Sequence, residues 1–277
     1  MLSLARNATL ATIWILASTA LYGADKPITV GLILDGLTQE EREPLRAYLT
    51  KAMGRPVNLA APDSYADTVA GLADGTFDFA CLGALMYIRA HAKYGVVPLA
   101  QRTSDLKFHS VFITGANSTI HTLRDLRGKQ FAFGDINSAS AHLIPYRELK
   151  EAGIDPKTDL IIRFSGSHPV TATLVETGVV EAGVLDESVF NSMISAGKID
   201  SKKVRVFYIS KSFVDYVYVA QKDVAEKERE QFVRALLALK EGKDDSILKV
   251  LRAHRFVIAH DDEYDNIRKI ALELSMY

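Results

Sequence analysis

Short apolar runs of β character alternate with amphipathic helical runs along nearly the whole chain. This alternation constrains the fold more than any single residue. Ile28–Asp35, Val57–Ala60, Phe77–Leu82, Val96–Arg102 and Phe108–Gly115 read as strands, with helices at Glu43–Met53, Ser64–Leu72 and Ala84–Ala92. In Glu43–Met53, Leu45, Leu49 and Met53 recur at helical spacing, Pro44 falls in the expected first turn, and Gly54 lies just beyond. A second block repeats the pattern. Its strands are Gln130–Phe133, Leu160–Ser165, Ala182–Leu185 and Val204–Ser210; its helices are Ser138–Ala152, His168–Thr177 and Glu187–Ser195. One more strand, Tyr216–Gln221, follows, and the remainder reads as helical over Lys227–Leu239, Asp244–Ala253 and Asp262–Leu274. Such alternation implies an α/β protein with mixed, mostly parallel sheets flanked by helices.

A break near Gly115 and a return near Tyr216 divide the chain into two lobes. Residues 24–114 and 217–277 form the first, and residues 115–216 form a second lobe inserted into it. Ligands of open α/β sheets bind outside the carboxyl ends of the strands. Two such lobes leave a cleft between them, and two hinge strands let it close.

The amino terminus is of another kind. Arg6 precedes a small apolar stretch, Ala8–Leu21, and Asp25-Lys26-Pro27 follows it. The stretch is short for a membrane span and fits a signal peptide over residues 1–23, with cleavage within residues 20–24. Export to the periplasm follows from that expectation. The net charge of −1 argues against nucleic acid or an anionic membrane surface as partner. The single cysteine, Cys81, excludes an internal disulfide, so stability must come from packing.

The stretch with most chemical content is Gly134-Asp135-Ile136-Asn137-Ser138-Ala139-Ser140-Ala141-His142-Leu143-Ile144-Pro145. An apolar strand precedes it and an amphipathic run follows. A helix start leaves its first N–H groups unpaired and carries partial positive charge. Ser138 or Ser140 can cap that start, and the remaining donors can face an anion. From these residues alone, capping without a ligand is the simpler account.

Taken in order, several segments resemble the periplasmic solute-binding proteins of phosphate, phosphite and phosphonate ABC transporters. They are Asp63-Ser64-Tyr65-Ala66 through Asp78-Phe79-Ala80-Cys81-Leu82-Gly83, then Leu123-Arg124-Asp125-Leu126-Arg127-Gly128-Lys129 with Phe131-Ala132-Phe133-Gly134-Asp135. Asn137-Ser138-Ala139-Ser140-Ala141 is similar to that family's Ser-Thr-Ser-Gly oxyanion loop. Gly166-Ser167-His168, Val184-Leu185-Asp186-Glu187-Ser188 and Asp262-Glu263-Tyr264-Asp265-Asn266-Ile267-Arg268 match further motifs. The resemblance implies a two-lobed, hinge-closing periplasmic binding fold that catalyses nothing, needs no cofactor or metal, works as a monomer and hands a small oxyanion to a permease. It implies ligand contacts from Ser138, Ala139, Ser140 and His168, from Tyr65 in the first lobe, and from Asp186 or Asp215. Two positions depart from the family: its Thr is Ala139 here, and its Gly is Ala141.

Each of these residues also has a plainer account. His168 can cap or lie on the surface, and Tyr65 can be a packing tyrosine. Asp186 ends a buried strand, where it suits either the cleft or the N-cap of the next helix. Asp215 lies among Phe213, Tyr216 and Tyr218, where it serves either a ligand or the hinge. A carboxylate facing a fully ionised phosphate repels it, so an acidic contact favours a protonated or amine-bearing ligand. Cys81 is either a small buried hydrophobe or a soft ligand. The second choice makes the protein a periplasmic sensor that binds arsenite or a similar thiophilic oxyanion and signals to a histidine kinase. Hydrolase, nucleotide-binding and metalloprotease motifs are absent, and the seven histidines show no metal-ligand spacing.

Overall fold

The structure, a computed structural model, describes residues 26–32 and 37–277. The expected signal peptide lies outside the described residues. In chain order, the first part contains β1 (Ile28–Gly31), α1 (Gln39–Met53), β2 (Val57–Ala60), α2 (Tyr65–Ala73), β3 (Phe79–Leu82), α3 (Ala84–Tyr94) and β4 (Val97–Arg102). The middle contains β5 (Ser110–Gly115), β6 (Gln130–Phe133), a π-helical turn at Ala139–Leu143, α4 (Ile144–Glu151), α5 (Pro156–Asp159), β7 (Ile161–Phe164), α6 (His168–Glu176), β8 (Ala182–Asp186), α7 (Glu187–Ser195) and β9 (Val204–Ile209). The last part contains β10 (Val217–Ala220), α8 (Glu226–Leu237), α9 (Asp245–Leu251), β11 (Phe256–Ile258) and α10 (Asp265–Glu273).

Two sheets result, ordered β11-β4-β10-β3-β1-β2 and β7-β6-β8-β5-β9, which gives the two-lobed α/β architecture. Parallel pairing is confined to β1 with β2 and β3, and β6 with β7 and β8. The strands next to the crossings run antiparallel: β10 against β3 and β4, and β5 against β8 and β9. Parallel pairing is thus less dominant than alternation alone implies, because a strand arriving from the other lobe need not follow a right-handed crossover.

The first crossing lies between Arg102 and Ser110, ahead of the 114/115 boundary expected from sequence. The whole of β5 pairs inside the second sheet, so residues 110–114 belong to the second lobe. Two further expectations shift. Helix α1 begins at Gln39 because Thr38 and Glu41 form a reciprocal capping box, leaving Pro44 inside the helix. The stretch after β10 is not all helical: Phe256–Ile258 pairs antiparallel with β4 and closes the edge of the first sheet.

The cores follow from strand and helix periodicity. On β5, Val111 and Ile113 face a cluster with Val175 and Phe190, while Phe112 between them faces Phe131, Phe133 and Tyr146. The first-lobe core gathers Leu45, Leu49, Phe79, Tyr87 and Phe232, with Phe79 stacked on Phe232 at 4.2 Å. Each such buried side chain contributes about 1.5–3 kcal/mol. The lobes also exchange side chains. Ala139, Leu143 and Ile144 of the second lobe pack into the first-lobe core, and Leu274 and Met276 of the carboxyl terminus reach the second-lobe cluster around Phe131. No helix among the described residues is long and apolar enough to cross a membrane.

Candidate functional site

The carboxyl ends of β3, β6 and β8 and the approach to β10 meet between the lobes. After β6 the chain turns through Gly134, whose missing Cβ lets Ala141 approach; a Cβ there would lie 2.5 Å from that of Ala141 and 3.9 Å from His168 Nδ1. The π-helical turn then starts. Ser138 Oγ accepts from Ala141 N at 3.0 Å, and Leu143 N donates back to Ser138 O at 3.1 Å. The leading amides, Ala139 and Ser140, stand at a helix start where no intrahelical acceptor exists. Ser138 Oγ and Ser140 Oγ lie 3.5 Å apart, and Ser110 Oγ fixes the turn by donating to Ser140 O at 2.6 Å. Both serines are buried.

His168 opens α6 behind the Ser167 cap and is buried. Its Nδ1 accepts from Asp186 N at 3.2 Å, so the ring proton sits on Nε2. Across the cleft, Tyr65 Oη lies 3.4 Å from that nitrogen. Tyr65 opens α2, held by Ser64, whose hydroxyl accepts from Asp67 N at 3.1 Å. Its hydroxyl also neighbours Tyr216, whose phenol is pushed up by burial first and then by Tyr65, Asp186 and Asp215. Asp186 performs the capping task, accepting from Val189 N at 2.9 Å at the start of α7.

Asp215 carries the most unusual environment. Helix α3 begins at Gly83, which has no side chain to cap it, and Asp215 Oδ1 supplies the cap by accepting from Ala84 N at 2.9 Å. Its Oδ2 is buried without a partner. Burial, reinforced by the Asp186 and Asp105 charges, pushes the carboxyl up to about 8 against the Ala84 amide and Ser140 hydroxyl. At neutral pH the group is mainly protonated and can donate.

Cys81 lies on β3. It lines a cavity of about 40 Å³ with Arg102, Asp186, Ser188, Tyr216 and Arg252. Burial pushes its thiol up to about 12, partly opposed by the Arg102 charge. Arg102 itself forms a buried pair with Asp105, Nη2 to Oδ1 at 2.6 Å. A protonated, solitary thiol is a poor metalloid ligand, so the arsenite-sensing alternative is not favoured. No cluster of metal-ligating side chains occurs among the described residues.

The structure therefore brings together Ser138, Ala139, Ser140, His168, Tyr65, Asp186 and Asp215, with Cys81 lining a small cavity that Asp186 also borders. Sequence reasoning missed Ser110, which anchors the turn, and the Arg102–Asp105 pair beneath Cys81. Nothing in their sequence context marks either.

The sequence profile of a family described as "ABC transporter, phosphonate, periplasmic substrate-binding protein" matches residues 36–264. The chain belongs to this family. The phosphonate-binding family places it among transport proteins rather than enzymes, in the periplasm. One relative, the probable ABC transporter phosphite binding protein PhnD1 of Prochlorococcus marinus strain MIT 9301, is 29% identical over 276 residues, covering 93% of each chain. The structure of PhnD1 from the same organism in complex with methylphosphonate superposes with a TM-score of 0.83 at 28% identity, covering 91% of this chain and 99% of the other. A binding component of a phosphonate ABC transporter from Pseudomonas aeruginosa shares the fold with a TM-score of 0.81 at 20% identity, over 91% of this chain and 87% of that one.

Proposed function

We propose that this protein captures a small phosphonate or phosphite between its lobes and presents the closed form to the permease of an ABC transporter. One observation carries the reading: donors from both lobes converge beside the buried carboxyl of Asp215. Ser138 Oγ, already accepting from Ala141 N, still has its own proton to give, as does Ser140. With the Ala139 and Ser140 amides they form a cradle at the helix start. His168 Nε2–H and the Tyr65 hydroxyl close it from two sides. Charge-assisted bonds of this kind supply the affinity.

Asp215 sets the protonation state of the site. Its carboxyl, pushed up to about 8, donates to an oxyanion at neutral pH and repels it once ionised. The adjoining cavity of about 40 Å³ limits the substituent on phosphorus. At roughly 10–15 Å³ per water-sized group, it holds about three heavy atoms. Methyl or hydrogen on phosphorus fits this space, in keeping with the ligand named for the PhnD1 complex. In this reading residues 1–23 direct export and are removed, and the mature protein acts as a monomer. The site residues named here are likewise part of the proposal.

A thermal-shift panel of phosphate, phosphite, methylphosphonate, aminoethylphosphonate, arsenate and arsenite tests it. Methylphosphonate or phosphite at about 100 times its Kd should stabilise the protein by about 2.7 kcal/mol. No shift with any phosphorus oxyanion, or a shift with arsenite alone, overturns the reading.

A further inference from the structure

We propose that Arg89 is a positioning residue that clamps the oxyanion turn, across the cleft, to the carboxyl-terminal tail. Arg89 lies half-buried on α3 of the first lobe. Its Nη1 donates at 2.9 Å to Oδ1 of Asn137, the residue before Ser138 in the second lobe. Its Nε donates at 3.2 Å to the Met276 carbonyl, and its Nη2 donates to the same oxygen. These acceptors are neutral, so they hold the guanidinium by geometry rather than by ion pairing. The distances in sequence, 48 and 187 residues, make the clamp tertiary in origin.

The tail is shaped for this contact. Ser275 adopts a φ of 54°, a left-handed conformation that costs a non-glycine residue energy and persists only where its surroundings impose it. The turn lets Met276 N donate to Ala271 O at 2.7 Å. It also seats Leu274 and Met276 against both lobes' cores. In return, Ala139, Leu143 and Ile144 from the oxyanion turn enter the first-lobe core. Asn137 is itself tied down, its N–H donating to Asp135 Oδ1 at 2.7 Å. Arg89 sits where these two exchanges meet. Its bond to Asn137 spans the two lobes, so losing it loosens the turn that holds the Ser138–Ser140 donors.

The ligand half of this inference rests on the phosphonate-binding reading; the clamp itself does not. Amide hydrogen exchange on the ligand-free full chain therefore decides the clamp, using wild type, Arg89→Gln, Asn137→Ala and the double variant. Each single variant should raise exchange over residues 136–143 about tenfold, with little change in the strands of the first sheet. Over residues 136–143 the double variant should add nothing beyond Arg89→Gln, because the Arg89–Asn137 bond that Asn137→Ala removes is already lost with the arginine. Stopped-flow binding of methylphosphonate should show release about tenfold faster, with the association rate within about twofold of wild type. Unchanged exchange over 136–143 in both single variants, additive effects in the double, or a general rise in exchange with unchanged release overturns the clamp. If wild type fails to bind methylphosphonate, the functional reading falls, and exchange still decides Arg89.

Discussion

The Asp186 main-chain N–H donates to His168 Nδ1 at 3.2 Å. That bond settles which imidazole nitrogen carries the proton and aims Nε2–H across the cleft toward Tyr65. Asp186 therefore acts on the site through its backbone, while its carboxylate caps α7.

His168→Ala should weaken methylphosphonate binding about 10–100-fold, the worth of one hydrogen bond to a charged group. Asp186→Asn keeps the main-chain donor and an acceptor for the cap, so it should cost less than about threefold. Isothermal calorimetry measures both. A loss in Asp186→Asn as large as that in His168→Ala would place the Asp186 carboxylate against the ligand as well.

Asp215 gives the stability a pH dependence of unusual sign. Its carboxyl is pushed up from 3.8 to about 8, so between those values the folded state holds a proton that the unfolded state has released. Stability from this group is full at low pH and falls as pH rises toward 8. Asp215→Asn keeps an acceptor for Ala84 N and removes the titration. The ligand-free variant should be more stable than wild type at pH 8 by roughly 1–3 kcal/mol, with the gap closing near pH 4. Denaturant midpoints across that range provide the check.

Gly134→Ala should drive a Cβ against Ala141, 2.5 Å away, and shift the Ser138–Ser140 turn. Overpacking of this kind costs about 1–3 kcal/mol, and affinity should fall with stability. Adding Ala141→Gly removes the opposing atom and should restore most of both. Failure of the double variant to recover would assign the defect to backbone conformation instead.

Cys81→Ala should leave phosphonate affinity within about threefold, since the thiol only borders the small cavity offered to the substituent on phosphorus and supplies none of the oxyanion donors. Burial pushes that thiol up to about 12, so alkylation at pH 8 should be slow in the native protein and fast in denaturant. Rapid native labelling would contradict the burial.

The parts of the fold written in local pattern were legible. Alternating apolar runs located most strands, and small hydroxyl residues after Phe133 located the oxyanion turn. Features made by distant partners were not. The capping box at Thr38 and Glu41 was readable and lengthens α1 past Pro44. By contrast, β11 is three residues long and owes its pairing to β4. The pairing of β5 with β8 and β9 decides its lobe, and no composition change marks it. The raised pKa of Asp215 needs burial with Asp105 and Asp186 nearby, both remote in sequence. The π-helical turn likewise depends on Ser110 and the close approach at Gly134.

The position of β10 governs the order of assembly. It lies between β3 and β4, yet it is made after the entire second sheet. As the chain emerges from its amino end, the inserted lobe has every strand in hand while the older half still has a gap at its centre. Until Val217–Ala220 arrives, the facing edges of Phe79–Leu82 and Val97–Arg102 offer unpaired backbone and apolar side chains to any passing strand. Chains cut short before that point should be the ones that aggregate or meet proteases, whatever the state of their binding residues.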